Sequence, residues 1–355
     1  MILLHERVAH EGAGHPGAAD SPSLRPSVLV TGASGLVGRR VVDLLLAQRT
    51  KWKSLLAVDL RDPPAGLRHV GVEYERCDVR DPGLVGVVTR FRPDTVVHLA
   101  AVVTPVPRST REFEYSIDVE GTRNVVEACL AGHVRHLVYT SSGAAYGFHA
   151  DNPVPLTETD ALRGNPGFAY ADHKRLVEEM LAGYRESHPE LKQLIFRPGT
   201  ILGASVSSPI SAMFERRVVV GVAGSEIPFV LVWDEDVAAC IVRGILEGKT
   251  GIYNVAGDGV ITLREIARRL GKPYVAVPPS LLRAGLAALH AVGLSAHGAE
   301  GVDFLLYRPV LSNESLKKDF GFTPSTSSED CFERFVAARF PAKAAARRAG
   351  RPHFA

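Results

Sequence analysis

A glycine-rich turn between an apolar run and a helical pattern constrains this chain more than any other feature. Residues Val28–Val30 are apolar, and Gly32, Gly35 and Gly38 follow at intervals of three. After them, apolar residues recur with helical spacing as far as Leu46. A short Val-rich run is typical of a buried parallel strand. The segment predicts strand, glycine turn and helix, the arrangement in which an α/β fold binds a dinucleotide pyrophosphate at a helix N-terminus.

The chain between residues 27 and 203 alternates between strand and helix patterns. Strands are predicted at 28–30, 54–58, 71–77, 95–99, 135–139 and 191–196, and helices at 36–46, 84–91, 110–130 and 170–184. Such alternation indicates a parallel sheet that is covered by helices on both faces. The predicted fold class is therefore α/β, a doubly wound parallel sheet of Rossmann type with a smaller C-terminal substrate lobe.

Changes in hydrophobic periodicity and in the pattern of predicted elements divide the chain into four predicted segments. Residues 1–26 lack hydrophobic periodicity and are predicted to be a flexible leader. Residues 27–203 form the dinucleotide-binding domain, and 204–340 form the smaller substrate-binding lobe, with interleaving of the two left open. Residues 341–355 are predicted to be a basic flexible tail. The apolar stretch Leu281–Leu294 is interpreted as a helix of the lobe core or a substrate lid, in preference to a membrane-surface helix.

The composition of the chain argues against nucleic acid, metal ions and membranes as binding partners. The 355 residues carry a formal charge of +2, which gives no argument for nucleic acid. The four cysteines are scattered singly, which argues against a metal site or a disulfide framework and favours a reducing compartment. No run approaches the roughly 20 apolar residues that span a bilayer. We expect a cytoplasmic protein with a small-molecule substrate, no nucleic-acid or membrane partner and no metal; a homodimer is left open.

Two aspartates follow predicted strands on the dinucleotide side. Asp59 lies 24 residues after Gly35, the distance at which an acidic residue bonds the ribose hydroxyls of the adenosine. Its charge would repel a 2′-phosphate, so NAD is favoured over NADP, although Arg61 can offset this repulsion. Asp78 can accept a hydrogen bond from the adenine amine, or it can serve as an ordinary turn residue.

A tyrosine and a lysine at helical spacing indicate proton chemistry. Tyr170 and Lys174 are four residues apart, so a helix places them on one face. A phenol has an ordinary pKa near 10, and a nearby ammonium group lowers it. The phenol can then exchange a proton with a substrate alcohol while a nicotinamide exchanges hydride. Upstream, the strand 135–139 runs into the hydroxyl residues Ser141 and Ser142, which would point into the crevice.

In chain order, these features resemble the short-chain dehydrogenase/reductase superfamily, in its extended branch of NAD-dependent epimerases and dehydratases. The resemblance covers residues 27–335. The glycine pattern of Thr31–Gly38 is similar to that of the extended branch, and His98–Ala101 resembles the segment after the fourth strand that lines the cofactor. Further segments that resemble the family are Gly121–Ala128, Arg197–Gly203 and Trp233–Ala238.

The resemblance implies roles for individual residues. Ser142 matches the catalytic hydroxyl, Tyr170 the general acid/base and Lys174 the catalytic lysine. The cofactor-binding residues are then Gly32, Ser34, Gly35, Leu36, Val37, Gly38, Asp59, Asp78, Val79, Leu99, Ala100, Ala101, Tyr170, Lys174, Pro198 and Thr200. Substrate contacts are assigned to Ser142 and to Arg308, which either takes a diphosphate or is an ordinary surface arginine.

Some positions depart from the family or are set aside. Asp118 stands where the family usually has Asn, and an Asp there can hold the lysine through charge. Ser141 can replace Ser142 as the catalytic hydroxyl, because the strand register is open. His98 is interpreted as a packed histidine. His173, Glu178 and Glu179 are interpreted as residues of the solvated side of their helix.

Three functions follow, from two classes. The first is an NAD-dependent epimerase or dehydratase that acts on a secondary alcohol or carbonyl, with a nucleotide sugar as the favoured substrate. The second is a net NAD(P)-dependent dehydrogenase or reductase of a non-nucleotide, apolar alcohol. The third is a dinucleotide-binding regulator without catalysis, which the presence of Tyr170 and Lys174 disfavours.

Overall fold

The computed structural model describes residues 25–63, 66, 68–104, 109–292 and 298–341. The predicted leader as far as residue 24, and the predicted tail from residue 342, lie outside these ranges. The strands of the described residues are β1 (Val28–Thr31), β2 (Leu55–Asp59), β3 (Glu73–Arg76), β4 (Thr95–His98), β5 (His136–Thr140), β6 (Lys192–Pro198), β7 (Thr200–Leu202), β8 (Val219–Val222), β9 (Pro228–Phe229), β10 (Leu231–Trp233), β11 (Gly251–Val255), β12 (Ile261–Thr262) and β13 (Tyr274–Val277).

Helices connect and cover these strands. They are α1 (Leu36–Leu46), α2 (Leu84–Phe91), α3 (Arg111–Tyr115), α4 (Gly121–Ala131), α5 (Ala169–Ser187), α6 (Pro209–Glu215), α7 (Asp234–Glu247), α8 (Leu263–Arg269), α9 (Pro279–Ala291), α10 (Gly301–Leu306), α11 (Glu314–Lys318) and α12 (Ser328–Arg339). Short 3-10 turns cover Arg49–Lys51 and Gly143–Tyr146, and a π-helical turn covers Ser116–Glu120.

The centre of the fold is a seven-stranded sheet in the order β3-β2-β1-β4-β5-β6-β11. Its neighbouring strands all run parallel. The strand order reverses between β1 and β4, and in sheets of this kind ligands bind at the carboxyl ends of the strands beside that reversal. The predicted doubly wound Rossmann-type fold is confirmed.

The two faces of the sheet explain why β1 is apolar throughout. Val28 and Val30 belong to a core that includes Val41 of α1 and Ile241 of α7. Leu29 points to the other face, into a core built with α2, α4 and α5. Because both faces are covered, alternation between apolar and polar residues is lost, as expected for a parallel strand.

Residues 202–336 supply a further hydrophobic core, separate from those on the two faces of the central sheet; this part of the structure is called the lobe. Its core contains a cluster of aromatic side chains, Phe214, Phe229, Phe332 and Phe335. The pairs β7–β10, β9–β12 and β8–β13 build its small sheets. The segment 204–340, predicted as the lobe, also supplies β11 to the central sheet and α7 to its cover. After building part of the lobe, the chain therefore adds α7 and β11 to the central sheet. It then returns to the lobe and completes it.

Two predicted elements are interrupted in the structure. The helix predicted at 110–130 is divided by the π-helical turn Ser116–Glu120, at which the side chain of Asp118 bonds to other segments. The apolar run 227–232, whose composition predicts a single strand, is divided into β9 and β10, because β9 pairs antiparallel with β12 whereas β10 pairs parallel with β7. In both cases tertiary partners override a local pattern that is continuous in the sequence.

Two mid-helix glycines should respond oppositely to substitution. A Cβ atom on Gly244, in α7, would lie 2.2 Å from Leu194 Cδ2, whereas a Cβ atom on Gly183, in α5, would meet nothing within 4 Å. We expect Gly244→Ala to lower the free energy of unfolding by about 1–3 kcal/mol through overpacking. Gly183→Ala should raise it by about 0.5–1 kcal/mol through helix propensity. Urea denaturation measures both, and equal effects would contradict the packing of α7 on β6.

Candidate active site

The glycine turn after β1 lies against the end of β4. Gly32 has φ +68°, and a Cβ atom there would lie 2.6 Å from the backbone nitrogen of Ala100. A Cβ atom on Gly38 would lie 2.2 Å from the carbonyl oxygen of Gly32. The backbone therefore closes tightly between β1, α1 and Leu99–Ala100, and only glycine allows this approach. Gly35 precedes α1 without a side-chain hydrogen bond to cap the helix.

The carboxylate of Asp59 is held by backbone groups beside this turn. Its Oδ2 accepts a hydrogen bond from the Ser34 N–H at 3.0 Å, and its Oδ1 accepts one from the Arg61 N–H at 3.2 Å. These residues line a cavity of about 270 Å³ together with Ala33 and Tyr74. The cavity adjoins the glycine turn through Ala33 and Ser34. A carboxylate in a cavity next to a glycine-lined helix start suits the adenosine half of a dinucleotide.

The third predicted cofactor segment, after β3, is arranged differently. Both carboxylate oxygens of Asp78 accept hydrogen bonds from Arg80, at 2.6–3.1 Å, and these bonds lower the pKa of Asp78. Val79 is buried, and its Cγ2 lies 2.7 Å from where a Cβ atom on Gly121 would be. Asp78 therefore has the contacts of a turn aspartate, and its contact with adenine stays a prediction.

Helix α5 carries the predicted acid/base pair. Lys174 Nζ lies 5.9 Å from the ring centroid of Tyr170 and 4.7 Å from that of Tyr139. It donates hydrogen bonds to the Tyr139 hydroxyl at 3.0 Å and to the carbonyl oxygen of Thr140 at 2.8 Å. These bonds to the end of β5 thus fix the side chain of Lys174 next to the ring of Tyr170. Tyr139 was not predicted, since nothing in the local sequence distinguishes its hydroxyl from that of a core tyrosine.

The structure distinguishes the two serines after β5. Ser141 is buried and donates a hydrogen bond to Glu178 Oε1 at 2.5 Å, away from Tyr170. Ser142 accepts a hydrogen bond from the Ala144 N–H at 3.1 Å, and its side chain is a hydrogen-bond partner of Tyr170. Ser142, Tyr170 and Lys174 therefore lie close together, whereas Ser141 is bonded elsewhere; the catalytic roles of these residues stay predictions.

Burial sets the proton affinities of these groups. It raises the pKa of Tyr170 to about 12, while the Ser142 hydrogen bond acts in the opposite direction. It lowers the pKa of Lys174 to about 8, against the raising effect of the Asp118 and Glu178 charges. His98 is buried between the Thr31 and Thr122 hydroxyls, and burial lowers its pKa to about 3, so it is neutral. These shifts agree with the interpretation of His98 as a packed histidine.

The prediction that His173 and Glu178 are solvated is wrong. His173 is 1% exposed, and its Nδ1 lies 3.1 Å from Asp118 Oδ2. Glu178 forms a buried ion pair with Arg197 at 2.6 Å. Helix α5 is packed by the central sheet on one side and by the π-helical turn on another, so most of its circumference near Tyr170 is buried. The helical pattern alone does not reveal this second covering.

Arg308 is a half-buried residue of the crevice, so its interpretation as a surface arginine is wrong. Its Nη2 donates a hydrogen bond to Thr200 Oγ1 at 2.9 Å. Its guanidinium lies 4.3 Å from the ring centroid of Phe229 and 4.9 Å from that of Phe304. Its Nη1 is buried and has no hydrogen-bond partner among the described residues. Burial lowers the pKa of Arg308 to about 10, which leaves it charged at neutral pH.

Three phenylalanines line the same region near the start of α5. The ring centroids of Phe148 and Phe304 are 4.8 Å apart, and those of Phe168 and Phe304 are 5.1 Å apart. Phe168 precedes α5, two residues before Tyr170. Pro198, which ends β6, and Thr200, which begins β7, connect this region to the sheet. The region around Phe304 thus combines aromatic side chains with the guanidinium of Arg308.

Neither a metal site nor a membrane span is found in the parts of the chain that the structure describes. No group of three or more His, Cys, Asp or Glu residues there is arranged to hold a metal ion. Among the helices described, none is both long enough and apolar enough to cross a bilayer.

Comparisons with known proteins place the chain among related sequences. A model of the NAD dependent epimerase/dehydratase family matches residues 28–256. An uncharacterized protein of Mycobacterium tuberculosis is 26% identical over 329 residues, which make up 90% of this chain and 86% of that protein. The UDP-glucose 4-epimerase of Mycolicibacterium smegmatis is 34% identical over 165 residues, 44% of this chain and 50% of that protein.

A solved structure extends the similarity to the whole fold. The NAD complex of the UDP-glucose 4-epimerase from Thermus thermophilus has a TM-score of 0.68 and 27% sequence identity to this chain. The match covers 89% of this chain and 99% of that chain. The similarity therefore includes the C-terminal lobe as well as the central sheet.

The buried ion pair under the site should be essential to stability. We expect Glu178→Gln to lower the free energy of unfolding by about 3 kcal/mol or more, because it leaves the Arg197 charge buried without a balancing charge. The matched control is Glu247→Gln, which breaks the exposed pair with Arg243 on α7 and should cost less than about 1 kcal/mol. Denaturant titration measures both variants. Similar losses in the two would contradict the burial of the Glu178–Arg197 pair.

Proposed function

The chain belongs to the NAD dependent epimerase/dehydratase family, and from that premise we propose that it oxidises and reduces a secondary alcohol of a nucleotide sugar, as an epimerase or dehydratase. The family confirms the predicted superfamily and the prediction of an NAD-dependent enzyme of the extended type. Which sugar is altered, and at which carbon, belongs to the proposal.

The residues of the glycine turn support NAD as the cofactor. Gly32 and Gly38 let the turn close tightly on the start of α1, where a pyrophosphate would bind, and Asp59 is oriented by the Ser34 and Arg61 N–H groups. A carboxylate that is already held in place accepts ribose hydroxyls and repels a 2′-phosphate. When bound, NAD supplies the hydride acceptor and donor.

The arrangement around Tyr170 supports its role as the general acid/base. Its hydroxyl would take the proton of the substrate alcohol and return it, while Ser142 would hold the same oxygen. Lys174 places a positive charge under the phenol, which favours the phenolate and opposes the effect of burial on its pKa. Tyr139 and Thr140 fix the direction of the lysine side chain.

The single observation that carries the choice of a nucleotide sugar is the state of Arg308. A half-buried guanidinium with a buried, unpartnered N–H group among the described residues is poised to bind an anion. A diphosphate supplies oxygens that accept from such a group. Thr200 and the Phe229 and Phe304 rings fix the orientation of the guanidinium without neutralising its charge.

Removing the phenol hydroxyl should abolish turnover. We expect Tyr170→Phe to lower kcat by about 10²–10⁴-fold, because the general acid/base is lost while the ring remains. NAD should still raise the thermal midpoint, since the glycine turn and Asp59 are intact. The control is Tyr184→Phe, farther along α5. Turnover is measured with UDP-glucose and other UDP-sugars, and retention of wild-type turnover by Tyr170→Phe would contradict the proposed role.

Substitution of Arg308 should separate substrate binding from cofactor binding. We expect Arg308→Met to raise the KM for a UDP-sugar by about tenfold or more, as one charge-assisted hydrogen bond to a diphosphate is lost. The NAD-induced shift in thermal midpoint should not change. An unchanged KM would show that the substrate carries no anion at this position, and would favour the second candidate.

That second candidate is a net dehydrogenase or reductase of an apolar alcohol. The specific observation in its favour is the cluster of Phe148, Phe168 and Phe304 near Tyr170, which offers apolar surface to a substrate. A net change in NADH absorbance distinguishes it from an epimerase, which returns its cofactor unchanged.

A further inference from the structure

Asp118 connects the cofactor-lining segment to the catalytic helix. Its side chain is 4% exposed. Its Oδ1 accepts a hydrogen bond from the Val102 N–H at 2.8 Å, directly after Leu99–Ala101. Its Oδ2 lies 3.1 Å from His173 Nδ1, on α5 and one residue before Lys174. One carboxylate thus bonds two segments that are predicted to contact NAD, or residues next to them.

The backbone around Asp118 is adapted to this contact. Asp118 lies in the π-helical turn Ser116–Glu120, and turns of this type are frequently found at functional sites. The turn separates α3 from α4, and the Asp118 carbonyl accepts a hydrogen bond from the Thr122 hydroxyl at 2.5 Å. The interruption of the helix therefore coincides with a residue whose carboxylate reaches α5.

His173 completes the contact from the other side. Its ring packs edge-to-face on Tyr115, with the centroids 5.6 Å apart. Its Nε2 is buried and has no hydrogen-bond partner among the described residues. Nδ1 therefore makes the polar contact of this ring, with the carboxylate of Asp118.

Titratable side chains from three elements of the fold face Lys174. The sheet presents the neutral groups Tyr139 and His98, α5 presents Tyr170 and Glu178, and the π-helical turn presents Asp118. Glu178 already has a partner of opposite charge in Arg197. The partners of Asp118 are a backbone N–H and an imidazole. Asp118 is therefore the carboxylate that is left to balance the lysine.

We propose that Asp118 and His173 form a buried pair of positioning residues, which tie α5 to the cofactor-lining segment and place a fixed negative charge beside Lys174 and Tyr170. A neutral amide at position 118 would supply the hydrogen bonds but no charge. The pair makes the acid/base group of this chain dependent on a buried carboxylate. The inference builds on the proposed function, because it assigns the pair to the chemistry of Tyr170 and Lys174.

The sign of the effect follows from the charge. The Asp118 carboxylate raises the pKa of Lys174 and that of Tyr170. Asp118→Asn keeps the size and the hydrogen-bonding atoms but removes the charge, so both pKa values should fall. The pH profile of alcohol oxidation depends on the protonation states of both Tyr170 and Lys174. Both limbs of the kcat/KM profile should therefore move to lower pH, by about one unit.

A chemical measurement on the lysine tests the proposal without a substrate. The full-length protein is labelled with formaldehyde and a hydride donor over a range of pH, and labelling of Lys174 is quantified by mass spectrometry. Only the neutral amine reacts, so the midpoint of labelling follows the pKa of Lys174. Asp118→Asn should lower this midpoint by about one unit. Glu186→Gln, which removes an exposed carboxylate from the same helix, should leave it unchanged.

Further variants keep the test decisive. Asp118→Ser is a second neutral substitution with the same expected shift, and Asp118→Glu, which keeps the charge, should restore the wild-type midpoint. An unchanged midpoint in either neutral variant that folds, as judged by circular dichroism, would overturn the proposal. Loss of activity without a shift in either limb would do the same. If Tyr170→Phe remains active while the labelling midpoint still shifts, the proposed function fails and the role of Asp118 stands.

Discussion

The close approach of the turn at Gly32 to the backbone of Ala100 is the contact on which the site depends. It joins the carboxyl ends of β1 and β4, the two strands between which the order of the sheet reverses. A side chain at Gly32 or at Gly38 would push the turn and α1 away from this edge of the sheet. Once the contact is made, the start of α1, Asp59 and the segment after β4 surround one crevice, and α5 can place its acid/base group at the other end.

Several charged side chains are buried on α5 or next to it. Lys174, Asp118, Glu178 and Arg197 lie within a short length of one helix and its neighbours, where charges interact more strongly than in water. Each is matched by an opposite charge or by several hydrogen bonds. The helix therefore acts as a rigid support for Tyr170, and its stability and its chemistry depend on the same ionisable groups.

Features that depend on local order were predictable from the sequence. The glycine turn, Asp59 after β2 and the spacing of Tyr170 and Lys174 each involve neighbours along the chain. Features that depend on tertiary packing were not predictable. The burial of His173 depends on the π-helical turn, and the contact between Arg308 and Thr200 joins residues 108 positions apart. Periodicity detects the face that packs on the sheet, and it has no signal for a second element that covers the opposite face.

The return of β11 and α7 to the central sheet has a consequence for synthesis of the chain on the ribosome. Until α7 and then β11 emerge, the apolar side chains that face α7, including Leu194, remain exposed to water, and β6 has an unpaired edge. The part of the lobe that precedes β11, residues 204–250, is therefore synthesised before the central sheet is complete. During this interval the apolar side chains of β6 form a surface that a chaperone can bind.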